Sequence, residues 1–199
     1  QYYFSGWKDI PKADAQLEQW LERLQEFLPF SSEYRFLPEY ELRSARDGLR
    51  LLAKYDLLVV GGEGVSIYDW KTDGKVPGRS LATSPQTRLY LYLLSLTDYF
   101  VNNMRMVYWN PRFPQQPLTV SYTPQQQQAD GRWLQGIIAQ IQGTAAFPAT
   151  SNEKNCRYCE YRPVCHGQGL EAVAEEGLDW DEVNWDDIEE IALQGVNLP

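Results

Sequence analysis

Three runs of β-forming residues follow one another in the first half of the chain, and the turns between them are short. The runs and their turns are residues 34–43, a polar turn at 44–48, residues 49–60, the pair Gly61-Gly62, and residues 65–71. Branched and aromatic residues bounded by glycine and polar residues are typical of strands joined in hairpins. The sequence therefore predicts a three-stranded β-meander.

Helical patterns lie on both sides of this meander. Before it, four leucines at spacings of four, three and four residues predict an amphipathic helix over 12–28. After it, Ser84 and Pro85 form an N-cap and first-turn proline for a helix that runs to about residue 96. The remaining predicted elements are strands at 104–109 and 118–122 and a helix at 124–142. This order predicts an α/β (α+β) domain with a central mixed β-sheet flanked by helices.

The length and charge of the chain favour one domain followed by an acidic segment. With 199 residues, 43% of them hydrophobic, one substantial core is expected over residues 1–170. The net charge of −9 comes from residues 171–199, which hold ten acidic and no basic residues, so residues 1–170 carry a net +1. No apolar run is long enough to cross a bilayer and no basic stretch leads into an apolar signal core, so we expect a cytoplasmic protein without membrane contact.

A carboxylate and an ammonium group stand two residues apart on the third predicted strand. Asp69 and Lys71 therefore project from one face of the sheet. On the preceding strand Asp56 is the one charge in the run 55–60, and a charge in such a strand needs a compensating partner. If the two strands pair through Gly61-Gly62, the two carboxylates converge as oxygen ligands for Mg²⁺ or Mn²⁺.

Such a site has the groups needed to hydrolyse a phosphodiester bond. The metal would bind the scissile phosphate and lower the pKa of a bound water, while Lys71 orients that water or offsets developing charge. The alternative is a surface Asp-Trp-Lys with Asp56 paired to an arginine, because a lone D-x-K recurs by chance. Gln86 and Tyr90 lie one helical turn apart on the following helix. Ordinary packing of that helix against the sheet is their alternative explanation.

Together with Glu39 on the first strand, these residues form an ordered series that resembles RecB-like PD-(D/E)XK nucleases over about residues 35–95. The resemblance implies a restriction-endonuclease-like core and Mg²⁺- or Mn²⁺-dependent cleavage of DNA single strands or duplex ends, as an exonuclease or end-processing enzyme in repair, recombination or defence. It also implies a helicase or other repair protein as partner. The site residues that it implies are Asp56 and Asp69 as metal ligands, Lys71 as the catalytic lysine, Gln86 and Tyr90 as active-site and DNA contacts, and Glu39 as a weaker match.

The three cysteines form a second motif, C-x2-C-x5-C, at Cys156, Cys159 and Cys165. Cysteines clustered in a loop of a cytosolic protein favour metal ligation over disulfides. The loop 153–166 resembles the C-terminal cluster of iron–sulfur nucleases of the AddB type and of CRISPR-associated exonucleases, which implies a structural [4Fe–4S] cluster in the full-length parent of this chain. Zinc and empty cysteines remain the alternatives.

Two residues of that pattern are missing, namely a fourth cysteine and a histidine before the first strand. The chain begins with Gln1 rather than Met, so an excerpt of a longer protein would explain both absences, and a branch without them is the other explanation. His166 adjoins Cys165 too closely for easy chelation of one ion and is expected on the surface.

Two further questions stay open at the level of the sequence. The segment 171–199 either covers the DNA groove, docks on a partner or forms a solvated amphipathic helix. Three functions remain for the whole domain. It is either a nuclease, a non-cleaving nucleic-acid-binding or scaffold domain of the same fold in a larger repair complex, or a zinc-stabilised interaction module.

Overall fold

The computed structural model describes residues 15–28, 30–46, 48–61, 64–97, 103–150, 152–156, 159 and 161–165. His166, the acidic segment and the first three residues of the predicted N-terminal helix lie outside these residues. The chain divides into two compact units, residues 1–135 and 136–199. The helices and strands are α1 (Ala15–Phe27), β1 (Tyr34–Arg46), β2 (Leu49–Gly61), β3 (Gly64–Trp70), a 3₁₀ helix (Arg79–Thr83), α2 (Pro85–Ser95), β4 (Met104–Trp109), β5 (Leu118–Ser121), α3 (Pro124–Gly143), and two single turns, Glu153–Cys156 and Arg162–Cys165.

The five strands form one mixed sheet in the order β1-β2-β3-β4-β5. The first three strands pair antiparallel, with Leu57 opposite Tyr68, as the short turns predict. β4 returns parallel to β3, which places Tyr108 beside Asp69. The α/β (α+β) fold with a mixed sheet flanked by helices is thereby confirmed.

Each face of the sheet has its own core. Helix α2 covers one face, where Leu91, Leu93 and Leu94 pack among buried residues of the strands. The end of α1 covers the other face, where Leu28 and its neighbours contact Leu57, Val59, Tyr68 and Val107. Burial on both faces explains why β2, β3 and β4 are nearly continuous apolar runs.

The alternation of side chains along β2 changes phase at Asp56. Ala53 and Tyr55 belong to the core under α2, whereas Leu57 and Val59 face α1 and Leu58 faces α2 again. Strand β1 changes in step, because Glu39 has a φ of 49° at the position opposite Asp56. Both strands therefore depart from regular alternation at the level of Asp56.

Most predicted elements agree with the structure to within a few residues. The 3₁₀ helix after the D-x-K strand was not predicted. Its Leu81 and Ala82 pack against the core under α2. The region predicted as an irregular loop has two single turns in its described part. None of the described helices has the length and apolar composition needed to cross a membrane.

Candidate active site

Asp69 lies at the end of β3 with its carboxylate enclosed by the protein. The residue is 6% exposed, and its Oδ1 lies 2.7 Å from the Nζ of Lys71. The amide of Gln86, on α2, donates to Oδ2 over 3.2 Å. Burial raises the pKa of the Asp69 carboxyl above its ordinary value, the Lys71 ammonium offsets part of that rise, and the nearby charge of Asp56 adds to it.

Asp56 precedes Leu57 on β2 and Asp69 follows Tyr68 on β3, so the two carboxylates flank the last pair of the β2–β3 ladder, Leu57 and Tyr68. Its Oδ2 accepts a hydrogen bond of 2.8 Å from the backbone N–H of Trp70. Among the described residues, none of the ion pairs joins Asp56 to an arginine. The structure thus brings the two predicted carboxylates together, with a backbone donor rather than a cation holding Asp56.

Lys71 comes directly after β3 and is held from β4. Its backbone N–H donates to the Trp109 carbonyl over 2.8 Å, and its Nζ lies 5.3 Å from the centre of the Tyr108 ring. The ring face attracts a cation, and the carboxylate of Asp69 attracts it as well. The ammonium is therefore fixed beside Asp69 while its side chain remains 28% exposed.

Buried hydroxyl groups form a hydrogen-bond network with the Tyr108 hydroxyl. The Tyr108 hydroxyl and Thr87 Oγ1 are 2.6 Å apart, and Thr87 Oγ1 also contacts Ser84 Oγ at 3.0 Å and the Leu81 carbonyl. Ser84 is the N-cap of α2, as its sequence position predicts. Burial raises the pKa of Tyr108 to about 12, so the hydroxyl stays protonated at neutral pH. This network was not predicted from the sequence, because Tyr108 and Thr87 have the pattern of ordinary core residues.

Asn110, which the sequence pattern also missed, fixes the loop that follows Lys71. The residue is fully buried, and its side-chain amide donates to the Asp73 carbonyl at 2.9 Å, to Asp73 Oδ1 at 3.0 Å and to the Lys75 carbonyl at 3.0 Å. Its Oδ1 accepts from the Arg112 backbone N–H. One side chain therefore ties the loop after β3 to the loop after β4.

Gln86 contacts Asp69, whereas Tyr90 and Glu39 contact other residues. The Tyr90 ring packs edge-on against Tyr55 at 5.1 Å, and the Tyr55 hydroxyl donates to the Tyr90 carbonyl. Glu39 lies on the exposed side of β1, where its carboxylate is 2.7 Å from Lys54 Nζ. Of the six predicted site residues, Asp56, Asp69, Lys71 and Gln86 thus come together directly.

The donor set at Asp56 and Asp69 fits a hard divalent cation. Asp69 Oδ1 is completely enclosed, and the positive charge that a buried carboxylate oxygen needs comes from the Lys71 ammonium 2.7 Å away. No group of three histidine, cysteine or acidic side chains converges to hold a metal within the described part of the chain. Water and substrate oxygens would therefore complete the shell, as is common for Mg²⁺.

The three cysteines lie in the second compact unit as free thiols, Cys156 buried and the other two exposed. The Cys159 N–H donates to the Cys156 carbonyl, and the Cys165 N–H donates to the Tyr161 carbonyl. The described residues show no assembled metal site here either.

Comparison with known proteins places this geometry in a family. A family model described as the PD-(D/E)XK nuclease superfamily matches residues 2–166, which is most of the chain. The chain belongs to the PD-(D/E)XK nuclease superfamily, whose members cleave phosphodiester bonds of nucleic acids and generally use divalent metal ions. Among proteins with curated descriptions, none matches the chain.

Proposed function

We propose that this chain is a Mg²⁺- or Mn²⁺-dependent DNA nuclease of the RecB-like type, with Asp56 and Asp69 as metal ligands and Lys71 as the catalytic lysine. The observation that carries the proposal is the Asp69 carboxylate. It is buried, its Oδ1 lies 2.7 Å from the Lys71 ammonium, and the charge of a second carboxylate, Asp56, is near enough to raise its pKa. Two carboxylates this near each other in a buried position repel, and a bound divalent cation would offset that repulsion.

Each side chain has a role that follows from its contacts. A bound divalent cation would supply Lewis acidity and lower the pKa of a water ligand. Lys71, held by the Tyr108 ring and the Asp69 carboxylate, is placed to offset negative charge that develops on a phosphate. Gln86 contacts Asp69 Oδ2 through its amide and Lys71 contacts Oδ1, so the two contacts fix the orientation of the carboxylate. Tyr90 and Glu39 are proposed as weaker contributors to substrate binding.

Asp69→Asn and Lys71→Ala test this proposal because one should impair metal binding and the other should impair the cleavage step alone. Asn at position 69 removes the charge on which a hard cation depends, so Mn²⁺ affinity and cleavage both fall. Ala at position 71 leaves both carboxylates, so Mn²⁺ still binds, while the cleavage rate drops by roughly 100-fold or more, as for loss of one charge-stabilising group.

The measurements are Mn²⁺ titration by calorimetry and cleavage of single-stranded and duplex DNA, each on wild type and both variants. Glu41→Gln, an exposed acid on β1, is the matched control for charge. A wild type that binds no Mn²⁺ and cleaves no substrate would reject the nuclease proposal and favour the non-cleaving scaffold domain.

We propose exonuclease or end-processing activity in repair, recombination or defence, alongside a helicase or other repair protein, for a domain spanning residues 1–170. The family match ends at residue 166 and so includes the cysteine loop, which supports that domain boundary.

For Cys156, Cys159 and Cys165 we propose a structural [4Fe–4S] cluster, because thiolates at this spacing select soft metals. Iron, sulfide and zinc analysis of protein purified without oxygen tests the proposal. Stoichiometric zinc without iron would contradict it. Without a fourth ligand from the described residues, the cluster should be lost easily in air.

A further inference from the structure

The α1 face of the sheet carries a polar row of side chains next to an apolar one. In the strand register, the residues that stand side by side on β2, β3, β4 and β5 are Val59, Ser66, Arg105 and Ser121. The neighbouring row on this face includes Tyr68 and Val107, which pack in the core at the end of α1. A buried serine beside an arginine is therefore not explained by the packing of this core.

A cavity of about 370 Å³ lies over this polar row. Its lining includes Ser66, Tyr68 and Arg105, together with Tyr34 and Ser121. Ser66 is 8% exposed and Tyr68 is 4% exposed, whereas Arg105 is an exposed residue. The cavity is therefore bordered by two enclosed side chains with hydroxyl groups and by one accessible guanidinium.

The polar groups around the cavity have hydrogens to donate and lack acceptors for them. Arg105 Nε donates to Ser66 Oγ over 2.8 Å, so the serine hydroxyl accepts there and keeps its own hydrogen. Within the described part of the chain, neither that hydrogen nor the hydroxyl hydrogen of Tyr68 has an acceptor. Arg105 takes part in none of the ion pairs of the described residues. An acceptor supplied by a ligand would complete all three groups at once.

These donors suit an anion with several oxygen atoms. Among the described residues that line the cavity, none is acidic. A guanidinium binds phosphate through parallel N–H···O bonds, and a phosphate monoester has three strong acceptor oxygens that hydroxyl groups can also reach. A carboxylate has only two oxygens, which lie in one plane. The cavity volume falls within the range of small-molecule sites, roughly 300–1,000 Å³, so the group that carries the phosphate also has room.

We propose that Ser66, Tyr68 and Arg105 form a second site, the Arg105 site, that binds the phosphate group of a small phosphorylated ligand. It is separate from the active site. Tyr68 belongs to the core under α1, whereas Asp69 projects to the other side of the same strand, where it contacts Gln86 of α2. The two sites therefore lie on opposite faces of β3. Binding at the Arg105 site requires neither a metal ion nor cleavage, so the inference goes beyond the proposed nuclease function and does not depend on it.

Calorimetric titration of wild type in EDTA at constant ionic strength tests the Arg105 site. The probes are inorganic phosphate, deoxyadenosine 5′-monophosphate and, as the control without a phosphate, deoxyadenosine. Both phosphates should saturate the protein below about 10 mM, and deoxyadenosine should not bind. Tighter binding of the nucleotide than of inorganic phosphate would show that the cavity also holds the group that carries the phosphate, and equal binding would show that the phosphate alone is recognised. Failure of both phosphates to saturate, or equal binding of deoxyadenosine, would overturn the site.

Two variants remove donors from the site, and a third is the control. Arg105→Gln removes the charge and should weaken phosphate binding by roughly 10-fold or more. Ser66→Ala removes one neutral donor and should weaken it by roughly 3- to 10-fold. Arg132→Gln removes an exposed arginine on α3 and should bind phosphate as wild type does. Melting curves check that the variants remain folded. Unchanged affinity in folded Arg105→Gln, or an equal loss in Arg132→Gln, would contradict the site.

Lys71 is the other cation to which a phosphate could bind, because it belongs to the proposed active site. Lys71→Ala should still bind phosphate at the Arg105 site, and nuclear magnetic resonance of ¹⁵N-labelled protein should show phosphate shifting the Arg105 Nε–H signal. Loss of phosphate binding in Lys71→Ala, with normal binding by Arg105→Gln, would place the phosphate in the active site and overturn the second site. Because these measurements use no metal ion and no cleavage, failure of the Arg105 site would leave the nuclease proposal standing, and failure of cleavage would leave the Arg105 site standing.

Discussion

The backbone N–H of Trp70 donates to Asp56 Oδ2 across 2.8 Å, so the strand that carries Asp69 also holds the neighbouring carboxylate. The contact uses one oxygen of Asp56 and leaves the other for a metal. The Asn and Ala variants at position 56 should therefore differ in stability.

Asp56→Asn should keep the fold and lose activity, because an amide oxygen still accepts the Trp70 N–H but has no charge for the cation. Asp56→Ala removes the acceptor as well and should cost about 1 kcal/mol or more of the free energy of unfolding. Chemical denaturation and Mn²⁺-dependent cleavage measure the two effects. Equal stability of Asn and Ala variants would show that the Trp70 contact does not hold this strand pair.

The raised pKa of Asp69 predicts how stability depends on pH in metal-free buffer. The folded state binds the proton more tightly than the unfolded chain, so this group stabilises the fold below its ordinary pKa. That contribution is lost as pH rises through the raised folded value. Asp69→Asn should therefore be more stable than wild type at neutral pH in EDTA, with a difference that grows as pH rises from about 4.

Adding Mn²⁺ should reverse the order of stability. At 100 times the dissociation constant a ligand stabilises the folded state by about 2.7 kcal/mol, and this gain should be confined to proteins with the charged residue at position 69. Thermal melts with and without Mn²⁺ provide the measurement, and Glu41→Gln serves as the control. Parallel pH curves for wild type and Asp69→Asn would contradict the burial argument.

Tyr108 should act on Lys71 through its ring rather than its hydroxyl. Tyr108→Phe keeps the ring under the ammonium, and Thr87 Oγ1 keeps its contacts to Ser84 and the Leu81 carbonyl. It should cost about 1 kcal/mol of stability with activity near wild type. Tyr108→Leu also loses the cation–π contact, worth about 1–2 kcal/mol, and should slow cleavage by roughly 5- to 30-fold. Equal kcat for Phe and Leu would exclude this positioning role.

Substitutions of Gln86 and Tyr90 should affect different properties, cleavage and stability respectively, although the sequence suggested the same role for both residues. Gln86 is exposed and contacts Asp69, so Gln86→Ala should reduce cleavage with an unchanged melting temperature. Tyr90 packs on Tyr55, so Tyr90→Ala should cost about 2 kcal/mol in stability. Tyr90→Phe preserves that packing and isolates the hydroxyl. A loss of cleavage in Tyr90→Phe without loss of stability would confirm a substrate contact.

Local patterns predicted the helices and strands because each pattern arises within the element itself. The leucine spacing marks α1, Ser84 caps α2, and Gly61 ends β2. The parallel return of β4 could not be predicted in this way, because residues 71–103 carry no signal for which strand β4 will join. It is that pairing, however, that brings Tyr108 to Asp69 and Trp109 to Lys71.

The candidate site was predictable to the extent that its chemistry appears in sequence spacing. A buried charge at Asp56 and the two-residue spacing of Asp69 and Lys71 are visible without coordinates. The phase change at Asp56 is not, since it depends on the backbone of Glu39 on the neighbouring strand. Asn110 is also invisible, because an asparagine before a proline indicates a turn and nothing more.

The backbone of β1 has a consequence for how this protein behaves at high concentration. Among the described strands, β1 forms an edge of the sheet and is 13 residues long, and long edges readily recruit strands from other molecules. Pro38 offers no amide hydrogen, and Glu39 turns out of the extended conformation at φ 49°. Together they break the edge into two short stretches, so that neither presents an uninterrupted template for the cross-β stacking that leads to aggregates.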